Sequence, residues 1–305
     1  MTTFIIKRLG LALLVALFVS LISFLMLRVA GDPAIAIAGE GASAADIEYI
    51  REQFGLDRPL LVQYVGWLAN ILKGDLGQST YFSVPVSKLL AERLPITMVL
   101  GACALTFSIL VAVPLGVLAA VRANSAIDRL ALAISVFGQA LPNFWFALML
   151  IVIFSVWTPL LPPSGNDTWR HFIMPTLVLG YYSTPAVMRL TRSGTLEVLQ
   201  ADYIRTARAK GLAPGRVLFK HALRNAIIPV VSLSAVQFGY MLGGSIIIES
   251  IFALHGIGQL AWESIARADL PTVQAIVLVL SMIYVFLNLL GDLLNAWLDP
   301  RIRVN

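Results

Sequence analysis

Uncharged stretches recur along this chain at lengths that match a bilayer core. They occupy residues 9–27, 96–121, a longer stretch over 130–166, then 172–188, 226–248 and 270–291. A helix needs about 20 predominantly apolar residues to cross the hydrocarbon. Backbone groups there must be satisfied internally, which leaves helices or a closed barrel, and continuous apolar runs select helices. Composition agrees, since 13% of the 305 residues are charged against about 25% in a soluble domain. The stretch over 130–166 exceeds one crossing, and the proline and glycine loop "WTPLLPPSGND" is expected to end its helix. The reading is therefore an all-α membrane protein with six transmembrane helices. The shortest span, 172–188, is extended by Arg189 reaching toward headgroups. Pro114, Pro142, Pro185 and Pro229 fall inside spans and are compatible with helix where packed neighbours satisfy the freed carbonyls.

Charge placement sets the orientation. Lys7, Arg8, Arg122, Arg129, Arg301, Arg303 and a large basic cluster over 189–224 fall on one side. By the positive-inside rule that side is cytoplasmic, with both termini there. The same asymmetry accounts for the net charge of +5 without any nucleic acid. The start, "KRLG" before an apolar run with "AIAIA" after it, also has the outline of a cleaved signal peptide. The length of the run, and Arg28 and Pro33 ahead of the small residues, favour a retained span. Cys103 is the single cysteine, inside the second span, and reads as packing.

The chain divides into an N-terminal transmembrane helix at 1–29, an extracytoplasmic helical cap at 30–94, and a five-helix core at 95–305 with a cytoplasmic loop at 190–225. The cap carries eight acidic and five basic residues and is too polar to cross the membrane. Ser43 and Asp46 stand at capping-box spacing ahead of Ile47, Ile50 and Phe54 on one face, with a stop at Gly55. A second helix is expected from Pro59 to before Gly74, with Leu61, Val65, Leu68 and Leu72 as its apolar side. A third, "VPVSKLLAERLP", leads into the second span. Their apolar faces are expected to pack on each other and on the span ends, with docking by the polar faces a separate reading.

The cytoplasmic segment "ADYIRTARAKGLAPGRVLFKHALRN" at 201–225 holds seven basic residues, counting His221. Asp202 to Lys210 read as a helix of about nine residues, stopped by Gly211, Ala213 and Pro214. Such a helix is too short to stand alone in water, so it is expected to dock against something. Arg205 and Arg208 share one face, while Tyr203, Ala207 and Gly211 lie on another where small residues let a partner approach. Arg216, Lys220 and Arg224 form a stripe suited to an anionic leaflet.

In the fifth span, Gly239 and Gly243 stand at GxxxG spacing with Gly244 and Ser245 adjoining. A helix-packing seam and a pathway lining both fit. Glu249 and Asp292 lie at span ends, where headgroup or capping roles fit better than ion coupling. The sequence has no GxxxxGK[ST], no HExxH and no GxSxG, and His171, His221 and His255 are too scattered for a metal site. No catalytic residue or metal ligand is therefore assigned. An ion-coupled secondary transporter is a reading of a different class, opposed by the absence of deep acidic residues and internal repeats. An intramembrane enzyme lacks every signature sought.

The segment at 201–225 resembles the cytoplasmic loop of binding-protein-dependent ABC importer permeases, whose loose motif is EAA, three residues, G, nine residues, I-x-LP. Ala207, Gly211 and Leu223 match, while Arg205, Thr206, His221 and Arg224 depart. "DYIRTARAKG" followed by "HALRNAIIP" is similar to the peptide, nickel and glutathione branch. So are "GDPA" at 31–34, "FGLDRPLLVQY" at 54–64, "GDLGQS" at 74–79, "MPTLVLG" at 174–180, "ESIFALHGIGQL" at 249–260 and "DPRIR" at 299–303. The resemblance implies a type I importer permease fold in a bacterial inner membrane, carrying small peptides, with nickel complexes or glutathione as alternatives. It implies a homologous second permease, two cytoplasmic ATPases that bind the ATP and magnesium, and an extracytoplasmic solute-binding protein. It further implies ATPase coupling through Asp202, Tyr203, Arg205, Thr206, Ala207, Arg208, Lys210 and Gly211.

Overall fold

The computed structural model describes residues 2–38 and 41–298. The "DPRIR" segment, with Arg301 and Arg303, lies outside them. Among the described residues the chain is helical, with an isolated antiparallel bridge between Gln78 and Pro85. In order the helices are α1 (Thr2–Ala30), α2 (Pro33–Ala38), α3 (Ala44–Gln53), α4 (Leu60–Leu72), α5 (Val86–Val121), α6 (Ala126–Ala140) and α7 (Asn143–Ile151). There follow α8 (Ile173–Leu199), α9 (Asp202–Ala209), α10 (Pro214–Arg216), α11 (Leu223–Ala226), α12 (Ile228–Ile251), α13 (Ile257–Ala266) and α14 (Leu270–Leu298).

Among the described residues, four helices are by length and composition long and apolar enough to cross a membrane: α1 from Ile5 to Val29, α5, α12 and α14. The expected third span is not one helix. Pro142 breaks it, with Leu141 extended at ψ 125° between α6 and α7, because a proline excludes its predecessor from helical backbone. After α7 the chain continues through a π-helical turn, Val152–Trp157, before the expected loop. Pro114 and Pro185 do sit inside helices, and Pro229 opens α12. The helix expected to lead into the second span is continuous with it, so α5 runs unbroken through residues 94 and 95.

The tightest seam joins α5 to α8. A Cβ on Gly180 would stand 2.6 Å from the Ala104 carbonyl, and one on Gly116 2.7 Å from that of Met188. Glycine at both levels is what lets the two backbones touch. Around this seam Leu100, Met174, Val178, Ile248 and Phe252 form a buried cluster. On the other flank α1 lies along α14. Ser23 Oγ donates to the Gln274 carbonyl at 3.1 Å and Gln274 Nε2 returns to the Ser23 carbonyl at 3.0 Å, both buried. Arg8 pairs with Asp292 at 2.8 Å toward the other end of the same helices.

The segment after α1 departs from expectation. The Ser43 capping box forms, with Asp46 returning to the Ser43 backbone. However, α4 turns three of the four residues of its expected apolar side outward: Leu61, Val65 and Leu72 are 74%, 59% and 80% exposed, Leu68 is half-buried, and no residue of α4 is fully buried. Its contact with α1 is made instead by Tyr64 and Trp67, whose rings lie 5.3 and 5.5 Å from that of Phe24. These aromatics offer more contact area and, in Tyr64, a hydroxyl that Ser20 can meet at 2.7 Å.

Candidate coupling loop and central cavity

The loop between α8 and α12 folds on itself. Ala201 begins α9 in extended conformation, and Gly211 ends it at φ +75°, its N–H donating to the Arg208 carbonyl at 2.9 Å. Glycine meets this left-handed stop without the strain of a side chain. Ile204, fully buried, and Ala207 pack against Val217 and Ala222 of the π-helical turn Val217–Ala222. The Tyr203 hydroxyl accepts from Asn225 Nδ2 at 2.9 Å. A helix too short to persist alone is thus held by a small core of its own.

This geometry corrects the placement of Ala207. It was expected on a face presented to a partner, but it faces inward, on the same side as Ile204, because the turn after α10 closes over that side. Asp202, Tyr203, Arg205, Thr206, Arg208, Lys210 and Gly211 are exposed. The presented surface is therefore basic, with Arg205 only loosely tied to Asp202 at 3.3 Å. Open space surrounds the position of a Cβ on Gly211, so its requirement is conformational rather than flatness. Arg216, Lys220 and Arg224 are likewise exposed.

Just before the loop, Arg192 grips Asp128 in the first turn of α6. Its Nε and Nη2 donate to the two carboxylate oxygens at 2.6 and 2.7 Å, and the Asn124 N–H adds a third bond at 2.8 Å. Both residues lie outside the uncharged stretches. The Arg192 guanidinium first, and the Asn124 amide second, hold the Asp128 carboxyl at about 2, well below the usual carboxylate range. This clamp joins α6 to the end of α8, directly upstream of α9. Sequence reading missed it; Ser125 and Asp128 at cap spacing were the available local signal.

Between α1, α6, α7, α8, α12 and α14 lies a cavity of about 890 Å³. Its polar wall includes Gln139, Asn143, Tyr182, Gln237, Tyr240 and Ser281, and none of its described lining residues is charged. The glycine cluster of α12 divides here. All three glycines line the cavity, but Gly239 is packed against the Tyr284 ring, which leaves no room for a Cβ, whereas Gly243 and Gly244 border open space. Ser245 is buried outside that wall and donates to the Leu242 carbonyl at 2.9 Å.

Two buried carboxylates organise the two ends of α13. Glu249 accepts from Thr97 Oγ1 at 2.8 Å and from the Gln259 N–H at 3.1 Å, and Thr97 Oγ1 accepts from Ile257 N–H at 2.8 Å. Glu249 thereby joins α5, α12 and the start of α13, a capping role rather than a headgroup contact. Gly256 makes room for it, because a Cβ there would stand 2.4 Å from the carboxylate. Asp269 accepts from Ser79, Thr80 and Thr272, with the Ser79 and Thr272 hydroxyls at 2.6 and 2.7 Å. It fastens the "GDLGQS" turn to the start of α14. Sequence reading offered Glu249 a headgroup or capping role without its partner Thr97, 152 positions away, and did not single out Asp269, whose partners Ser79 and Thr80 lie 190 and 189 positions away.

Residues 112–304 match the family described as binding-protein-dependent transport system inner membrane component, and residues 1–101 match its N-terminal companion family. The chain is 41% identical over 312 residues to a putative peptide transport system permease protein of Brucella abortus (strain 2308), covering 99% of both chains. It is 41% identical over 305 residues to the glutathione transport system permease protein GsiC of Escherichia coli (strain K12), again covering 99% of both. Among solved structures, an inward-facing form of the MetNI methionine ABC transporter matches with a TM-score of 0.58 at 20% identity, covering 69% of this chain and 96% of that one. That likeness supports the fold.

Proposed function

Because the chain belongs to the family of inner-membrane components of binding-protein-dependent transport systems, and is an ABC importer permease, we propose that it carries small peptides together with a homologous second permease. Two ATPases bind and hydrolyse ATP with magnesium on the cytoplasmic side, and a solute-binding protein delivers the cargo on the other. Six crossings are counted in this reading, with α8 and the broken pair α6–α7 added to the four long apolar helices. Residues 1–29, 30–94 and 95–305 are its first span, its outward insertion and its core, and both termini face the cytoplasm.

The observation that carries ATP coupling is α9. Its apolar side is consumed within the loop while Asp202, Tyr203, Arg205, Thr206, Arg208, Lys210 and Gly211 remain exposed. A pre-folded, charged helix is a rigid lever: closing ATPases that press on it move α8, to which it is directly joined, and through the Asp128–Arg192 clamp α6 as well. The residues bias a bistable bundle between inward and outward access. Ala207 contributes by packing the lever, not by touching its partner.

The neutral cavity suits the cargo. Amides and hydroxyls hydrogen-bond a peptide backbone without trapping either of its charged ends, and Gly243 and Gly244 keep the wall open. Glutathione is the second cargo reading, favoured by the relative that bears that name; nickel complexes are a third.

Uptake of radiolabelled di- and tripeptides into vesicles holding the full assembly tests the proposal. Accumulation is expected only with ATP inside and loaded binding protein outside. Accumulation by the chain alone under an ion gradient would replace it with secondary transport.

A further inference from the structure

The segment Leu60–Leu72 is polarised the wrong way for water. It holds no charged residue. Of its hydrogen-bonding side chains, Gln63 and Tyr64 turn inward, while Asn70, in the last turn, is exposed. Gln63 donates to the Leu56 and Arg58 carbonyls at 3.0 and 2.6 Å and accepts from Arg28. Leu60, Leu61, Val62, Val65 and Leu72 turn outward, all at least half exposed. An aqueous cap would reverse this arrangement, burying aliphatic side chains and wetting amides.

The register against α1 fixes the level of this face. Tyr64 meets Ser20 at 2.7 Å, and Phe24, which both Tyr64 and Trp67 contact, lies one turn further on. Ser20 stands nine positions before Val29, the end of the apolar span. At 1.5 Å per residue, that is about 14 Å below its mouth along the axis. Only at Arg28 does α1 return to charge, and its guanidinium reaches back over the Phe24 ring, donating to the Phe24 carbonyl at 3.1 Å and to Gln63. The exposed apolar side chains of α4 are thereby held at the depth of the outward apolar side chains of α1, among them Phe18, Leu21, Ile22 and Leu25.

We propose that α4 is a membrane-embedded helix, about 20 Å long by helical rise, sunk in the leaflet at the C-terminal end of α1 with acyl chains covering Leu61, Val65 and Leu72. Tyr64 and Trp67 fasten it to the first span, and Gln63 accepts from the Arg28 guanidinium where that side chain folds back onto Phe24, so the one charge nearby is already partnered. The segment after the first span is thus partly a lipid-anchored collar, and the polar α3 is what remains outside. This placement depends on neither the cargo nor the ATPases.

The test uses the complete transporter in vesicles of phosphatidylethanolamine and phosphatidylglycerol. Single cysteines replace Leu61, Val65 or Leu72 in a Cys103→Ala chain and carry a nitrobenzoxadiazole label. Lipids with a doxyl group on the acyl chain are expected to quench these labels at least half as strongly as a label at Leu14 of α1. Aqueous iodide is expected to quench them several-fold less than a label at Asp57. Iodide quenching equal to that at Asp57 overturns the proposal in favour of an aqueous cap. Shielding from both quenchers overturns it in favour of a protein cover, the second permease or the binding protein.

Discussion

Ile204→Ala isolates what holds the coupling helix together. The side chain is fully buried among Val217, Ala222, Leu199 and Leu212, and removing it deletes three carbons from a core too small to collapse around the loss. Such truncations cost about 2–5 kcal/mol. Since 1.4 kcal/mol is a factor of ten, the lower bound opens the loop roughly 30-fold more often. The amides that report this are Lys210, bonded to the Thr206 carbonyl at 3.0 Å, and Gly211 and Leu212, bonded to Arg208 and Ala207 at 2.9 and 3.3 Å. Hydrogen exchange on the complete transporter should accelerate at these three by that factor, up to the unprotected rate, while amides in α5 stay unchanged. Uptake should fall with membrane insertion intact. Thr206→Ala is the matched control: its exposed hydroxyl returns to the Asp202 carbonyl, and a surface change of this kind stays within about 0.5 kcal/mol. Equal exchange in Ile204→Ala and Thr206→Ala would refute the self-contained core and make the partner ATPase the source of α9's order.

Other consequences are open to measurement. Asp128 has a folded pKa of about 2, below the ordinary value near 3.9, so its contribution to stability is complete above about pH 4 and is lost as pH falls toward 2. Melting temperatures of the detergent-solubilised chain should therefore drop in that window, and Asp128→Asn should flatten this component while lowering stability at pH 7. Gly180→Ala meets the Ala104 carbonyl at 2.6 Å and should destabilise by about 1–3 kcal/mol, whereas Gly243→Ala meets open space and should be neutral or gain up to about 1 kcal/mol. Equal melting shifts would refute the assignment of the tight seam to α5 and α8. Glu249→Leu leaves Thr97 and the Gln259 amide without their acceptor and should cost more than Glu249→Gln, at about 1–3 kcal/mol for each stranded group, read by thermal unfolding.

Local signals in the sequence carried far. The long uncharged runs at α1, α5, α12 and α14 became helices, Ser43 formed its capping box, and Gly211 stopped α9 where the pattern placed it. Reading failed where the deciding partner was distant. Asp128 and Arg192 lie 64 positions apart, and Thr97 and Glu249 lie 152 apart, so nothing near any of them announces the pair. Gly116 and Gly180 are single glycines on different helices, invisible to a motif defined within one helix. Ala207 was turned the wrong way because the π-helical turn that covers it depends on long-range closure of the loop. The orientation of α4 failed for another reason: the rule that apolar faces pack inward presumes water outside.

The reciprocal bonds between Ser23 and Gln274 span 251 positions, and this separation sets a waiting time during biogenesis. At about 5–20 residues per second of synthesis, the first helix inhabits the membrane for roughly 13–50 s before its clasp on the last one exists. During that interval it is retained by its own lipid affinity and by the early contacts of Tyr64 and Trp67. A ribosome stalled before α14 therefore leaves an inserted but unlatched chain, with the Ser23 hydroxyl and carbonyl still lacking their partners on the last helix.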